Sequence, residues 1–204
     1  MSADTSHYIQ FQAAWVELAT DGPLRRRFRT HPREALAPWM PGAAPLVELP
    51  FVDLERYAQS LVAKRALELS RAIPLTLKLA PDLVEVYRRW LDEHPAPPGD
   101  LIQSPGIAEG IRALAHLKDH LRAIIAVDGP VAPYAPDVLV YELYVAASIE
   151  DGATRTFTCD HRADLLVTAL RSGELPVDPQ PVRTAFRCLG GRVQWQSLGG
   201  RHEA

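Results

Sequence analysis

TRTFTCDHRADLLVTALRSG (Thr154–Gly173) and, a few residues later, VRTAFRCLGGRVQWQSL (Val182–Leu198) decide the fold class, because here the hydrophobic period changes from helical to alternating. Thr154 to Cys159 alternates as a short strand does, with successive side chains on opposite faces. Asp160 offers a side-chain cap for the helix that follows, and Gly173 can close it. VRTAFRCL and RVQWQSL are two further strand-like runs joined by Gly190 and Gly191, residues that take positive φ without steric cost and so favour a tight hairpin. The C-terminal part therefore reads as a small antiparallel sheet with a covering helix.

Upstream the pattern is helical. In FVDLERYAQSLVAKRALELSRAIPLTLKLA (Phe51–Ala80), Leu54, Tyr57, Leu61, Val62, Leu69 and Ile73 keep helical spacing. Arg56, Lys64, Arg65, Glu68 and Arg71 fall off that stripe, and Pro74 breaks the run. A first helix is expected from about Tyr8 to Thr20, with Tyr8, Phe11, Trp15 and Leu18 on one face. Asp21 then caps a second helix that has Pro23 in its first turn and ends at Thr30. A short helix starts near Pro32, and the prolines between Pro38 and Pro50 read as a connecting loop. PDLVEVYRRWLDEH buries Leu83, Val86, Tyr87, Trp90 and Leu91, and HPAPPGD is a loop. Ser104 and Pro105 open a helix reaching about Ile125.

DGPVAPYAPD is the best internal boundary, separating a helical region at 1–130 from a small α/β region at 136–200. In VLVYELYVAASI, β-branched and aromatic content favours a strand. Pro136, Asp137 and the spacing of Val138, Tyr141, Val145 and Ile149 favour a helix, and helix is the reading adopted. The expected class is α+β, a helical N-terminal region followed by the sheet.

A chain of 204 residues that is 47% hydrophobic can bury a substantial core. Its formal charge of −3 argues against a general binder of nucleic acid or anionic membrane. No apolar run reaches the roughly 20 residues of a membrane-spanning helix, and MSADTSHYIQ lacks the pattern of a signal peptide, so the expected location is cytoplasmic. Two cysteines, Cys159 and Cys188, are too few for a disulfide framework and lack the spacing of a zinc site.

Three groupings could carry chemistry. His116 and His120 stand four apart on a predicted helix, a spacing that can direct both rings at one metal ion, although HLKDH reads equally as a solvated face. Cys159, Asp160 and His161 include nucleophile and base types, but adjacent residues point in different directions. Arg25, Arg26, Arg27 and Arg29, around Phe28, could meet phosphate or an acidic peptide. Trp15, Trp39, Tyr57, Tyr87 and Trp90 are most simply packing residues. These groupings leave a DNA-associated regulator and a small metal-binding protein as alternatives to a binding or adaptor module. No catalytic residue, cofactor or metal ligand is assigned.

The order of features resembles the partner proteins of multinuclear non-haem iron oxidative enzymes that act in ribosomal peptide modification pathways. The resemblance is carried by the arginine-rich helix before HPREAL, the run YAQSLVAKRALELSRAIPLTLKLAPDLVEVYRRWL, and the later VLVYELYVAAS. FTCDHRADLLVTALRSGELP and TAFRCLGGRVQW complete it. It implies a non-catalytic subunit that docks on the iron enzyme and helps present a precursor peptide, with the iron and the oxidation of peptide cysteine belonging to the partner. Strand addition would suit that role, with the hairpin Val182–Leu198 as the edge and Phe186 and Trp195 as candidate peptide contacts.

Overall fold

The computed structural model describes residues 3–94, 105–127, 129, 131–177 and 179–198. In chain order the elements are α1 (Ala3–Thr20), α2 (Gly22–Thr30), α3 (Pro32–Ala35), 3-10 turns at Ala37–Trp39 and Ala44–Glu48, and α4 (Phe51–Ala72). Then come α5 (Pro74–Leu79), α6 (Leu83–Glu93), α7 (Pro105–Ala126), α8 (Ala135–Asp151), β1 (Arg155–Cys159), α9 (Ala163–Arg171), β2 (Thr184–Leu189) and β3 (Arg192–Ser197). The class is α+β. No described helix is long and apolar enough to cross a membrane.

The chain divides into two compact units, Met1–Ala66 with Arg88–Gln103, and Leu67–Tyr87 with Ser104–Ala204. These differ in extent from the 1–130 and 136–200 regions read from the sequence. The division cuts α4 after Ala66 and α6 after Tyr87, and α7 joins the C-terminal elements because it packs along α8. The expected loop at 95–100 and the Ser104 cap lie outside the described residues.

In the first unit, Asp21 caps α2 as expected, its Oδ1 accepting from Leu24 N–H at 2.8 Å. Ala14, Leu18, Phe28, Leu36, Leu46 and Leu54 form the buried core, with Trp15 and Trp39 partly buried against it. A Cβ at Gly22 would stand 1.9 Å from the Asp92 carbonyl oxygen, so only glycine lets α2 begin this close to the end of α6. Arg25 is buried rather than solvated: Nε donates to Glu55 Oε2 at 3.0 Å, Nη1 donates to the Leu18 and Ala19 carbonyls at 3.2 and 3.3 Å, and Nη2 donates to Asp92 Oδ1. Two expectations on α4 are corrected. Arg65, off the apolar stripe in sequence, is buried, and Tyr57 is exposed, its ring 5.3 Å from that of Trp15 and tilted by 38°.

The second unit is organised around α8, which packs against α5, α7, α9, β1 and β2. It is a helix, as the spacing indicated, and Gly152 ends it at φ 67° with its N–H on the Ser148 carbonyl. Two of its acids are buried and fully used. Glu142 Oε1 accepts from Leu75 N–H at 3.0 Å, and Oε2 accepts from Thr76 N–H and Oγ1–H, both at 2.8 Å. This solves the problem set by Pro74. A new helix begins there without a capping side chain on Ile73, Pro74 has no N–H, Leu77 N–H reaches the Ile73 carbonyl, and Glu142 takes the remaining donors.

The second acid, Asp137, holds the turn between β1 and α9. Its Oδ1 accepts from Asp160 N–H at 3.1 Å, its Oδ2 accepts from His161 N–H at 3.0 Å, and His161 Nδ1 lies 2.7 Å from Oδ2. The expected capping of α9 by Asp160 is therefore corrected: the residue before α9 is Arg162, it makes no side-chain cap, and Asp160 is held through its backbone.

The sheet is three-stranded and antiparallel in the order β1-β2-β3. Gly190 and Gly191 take φ values of 54° and 80°, the paired positive angles of a two-residue hairpin. On the side facing α8, Phe157 and Phe186 stack at 5.3 Å, and Tyr141 meets both edge-on at 6.1 and 5.7 Å.

Two outcomes follow for stability. Arg25→Met is expected to weaken the first unit by about 1–3 kcal/mol, because the Leu18 and Ala19 carbonyls lose a buried donor while both carboxylates can rehydrate. Hydrogen exchange at amides 18–28 reads this, and unchanged protection would remove the network from the structural account. For Glu142, burial raises the carboxyl above its ordinary range, the Leu75 and Thr76 donors offsetting part of the rise. The folded chain thus keeps this proton where the unfolded chain has released it, and the group's contribution to stability falls as pH rises between those two values. Glu142→Gln should cost about 1–3 kcal/mol by setting an amide NH2 against donors. The gap between parent and variant should narrow as pH rises through that interval, and a widening gap in urea titrations would overturn the account.

Candidate peptide-docking edge

The hairpin register places Phe186 opposite Trp195, Arg187 opposite Gln194 and Leu189 opposite Arg192. In a two-residue hairpin the pair flanking the turn exchanges hydrogen bonds, and bonded pairs then alternate. The bond from Leu198 N–H to the Arg183 carbonyl, 3.0 Å long, has the same phase. Val193, Trp195 and Ser197 consequently direct their N–H and C=O groups away from β2. No further strand pairs with β3 among the described residues. On the opposite edge, β1 turns out only Thr156 and Thr158 and carries no exposed aromatic residue.

The two candidate side chains separate. Phe186 is 1% exposed and Trp195 49%, although they share one side of the sheet. Phe186, expected as a peptide contact, lies on the central strand beneath α8 and is buried in the core, so it presents no surface in this structure. Trp195 lies on the edge strand beyond the helix.

Its indole rests on a built platform. Arg162 Cζ lies 3.5 Å from the ring centroid, and the guanidinium is held by two bonds to Asp164, Nε to Oδ1 at 2.8 Å and Nη2 to Oδ2 at 2.7 Å. Those bonds hold the Asp164 carboxyl below its ordinary range. Arg162 also lines an apolar groove of about 340 Å³ with Leu165, Ala169, Pro176, Pro179 and Val182. Sequence reading missed Arg162 and Asp164. Asp164 looked only like an acid in the first turn of a helix, and nothing in the spacing ties residue 162 to residue 195.

The other groupings disperse. His116 is exposed, whereas His120 Nε2 lies 3.2 Å from Asp82 Oδ2, a different partner from the one its spacing suggested. No group of three or more His, Cys, Asp or Glu among the described residues is placed to hold a metal ion. Cys159 is buried with Sγ 3.8 Å from the Asp137 carbonyl oxygen, and desolvation, followed by the Asp137 charge, pushes its thiol far above the ordinary range. That disfavours the thiolate a nucleophile needs. His161 faces Asp137, and Cys188 is buried.

The arginine cluster is divided: Arg25 is buried, Arg26 pairs with Asp92 at 2.8 Å, Arg29 stands 5.5 Å over the Phe51 ring, and Arg27 is exposed without an ion pair among the described residues.

No family model, curated protein or solved structure matches the chain.

The platform makes its own prediction. Arg162→Gln should free the Trp195 ring, shift its indole N–H resonance and cost about 0.5–1 kcal/mol. In the parent the Asp164 clamp is intact above the ordinary Asp range and is lost as pH falls through the depressed folded value, so the same resonance should move at low pH. An indole signal indifferent to both changes would show that the ring is held by something else.

Proposed function

We propose that this chain is a non-catalytic partner subunit that binds a multinuclear non-haem iron oxidative enzyme and presents a ribosomally made precursor peptide to it for cysteine modification, in the cytoplasm. The observation that carries the reading is the open edge of β3, three residues with outward N–H and C=O groups beside a half-exposed tryptophan clamped by Arg162. Main-chain pairing at such an edge supplies affinity with little dependence on sequence, and the indole and the neighbouring apolar groove supply selection. The resemblance of the helical run and tail to partner proteins of iron enzymes supplies the rest. The DNA-associated alternative is the less favoured reading, because two of its four arginines, Arg25 and Arg26, are paired with carboxylates.

The direct test is co-expression with the product of a neighbouring iron-enzyme gene, followed by affinity capture, size exclusion and metal analysis. Co-elution with iron confined to the partner is the expected result. A lone monomer with no such neighbour would overturn the reading. Trp195→Ala should weaken peptide capture by about 30-fold, the scale of losing an aromatic hot spot, while leaving the chain folded. Unchanged capture by a folded variant would remove the hairpin from the peptide site.

A further inference from the structure

The side of the sheet turned away from α8 has a chemistry of its own. Arg187 on β2 and Arg192 on β3 both lie there, and alternation puts Arg183 on the same side. Arg25, Arg26, Arg56, Arg122, Arg155 and Arg162 each have a carboxylate within ion-pairing distance. Among the described residues, Arg183, Arg187 and Arg192 have none, and what sets them apart from other unpaired arginines such as Arg27, Arg89 and Arg171 is that the three share one face of the sheet. Arg187 and Arg192 are exposed and diagonal to one another, since Arg187 is opposite Gln194 and Arg192 is two residues from Gln194. Diagonal neighbours on one face are within reach of long side chains, so the two like charges repel unless an anion lies between them. With Leu189 and Gln194 they line a cleft of about 320 Å³.

We infer that this face selects the charge of the docked peptide: the occupant of the β3 edge is an extended segment with Asp or Glu at alternate positions. The inference rests on the strand-addition reading above and adds to it. A strand paired to the outward groups of Val193, Trp195 and Ser197 sends alternate side chains to the two sides of the sheet. One set falls beside Trp195 and Val193 and is apolar. The other falls beside Arg192 and Gln194, with Arg187 in the next row, and is acidic. Single arginines facing carboxylates at an exposed site contribute modestly, and two together give a preference of about tenfold that salt diminishes. A duplex nucleic acid suits this surface less well, because it calls for a wider basic footprint than a chain of net charge −3 presents here.

Fluorescent eight-residue peptides alternating Glu with Val, Gln with Val, and Lys with Val, titrated against the full chain by anisotropy, test this directly. The Glu peptide is expected to bind about tenfold more tightly than the Gln peptide, and the Lys peptide more weakly than either. The double variant Arg187→Gln, Arg192→Gln, checked for unchanged thermal unfolding, should bring the Glu peptide to the level of the Gln peptide. An N-methylated Glu peptide, which keeps the charges and cannot pair, should not bind. If Glu and Gln peptides bind equally and the N-methylated one does not, the charge selection is wrong and strand addition stands. If the N-methylated peptide binds as well as its parent, strand addition fails and takes this inference with it. Displacement of the Glu peptide by a short DNA duplex at lower concentration than by unlabelled Glu peptide would overturn the acidic-peptide assignment in favour of nucleic acid.

Discussion

Two buried carboxylates on one helix set the geometry of the second unit. Glu142 ends the donor deficit created where Pro74 restarts the chain as α5, and Asp137 gathers the turn that leads from β1 into α9. Both acids are buried, a costly placement unless every acceptor is used, and in each case backbone donors use them. A helix that satisfies the ends and turns of its neighbours fixes where they lie more narrowly than apolar packing would, because hydrogen bonds are directional and hydrophobic contact is not.

The sheet inherits its asymmetry from that arrangement. α8 covers β1 and β2 on one side, which buries Phe157, Phe186, Cys159 and Cys188, and it leaves β3 largely uncovered. Exposed edges invite pairing with other chains, and proteins usually blunt them with charge, proline or a bulge. Here the edge is short and bears one exposed aromatic residue with an arginine held over its face. It carries alternating glutamines as well. Such an edge resists indiscriminate stacking through its length and its polar face while leaving main-chain groups open to a single extended partner.

Much of this was legible in the residues. The hairpin was announced by adjacent glycines between alternating runs, the α6 stripe by its spacing, and the cap of α2 by Asp21. The signals that were ambiguous or misleading share a cause. α8 is buried on most of its circumference, so it lacks the polar face that makes a helix period visible, and strand and helix readings of Val138–Ile149 compete until packing decides. Arg25 looks solvated because local pattern cannot report Glu55 and Asp92, partners supplied from distant sequence. Phe186 and Trp195 look equivalent for the same reason: they occupy equivalent positions in a hairpin, and only the placement of α8 makes one core and the other surface. The Arg162–Trp195 contact spans a separation that no periodicity encodes.

The burial of Cys159 and Cys188 has a chemical corollary. Thiol–disulfide exchange requires an accessible thiolate, and both sulfurs lie inside the sheet layer, Cys159 with its ionisation strongly suppressed. This chain keeps its sulfur out of that exchange by burial, to which the Asp137 charge adds at Cys159, so an oxidant reaching its surface meets no ready thiolate.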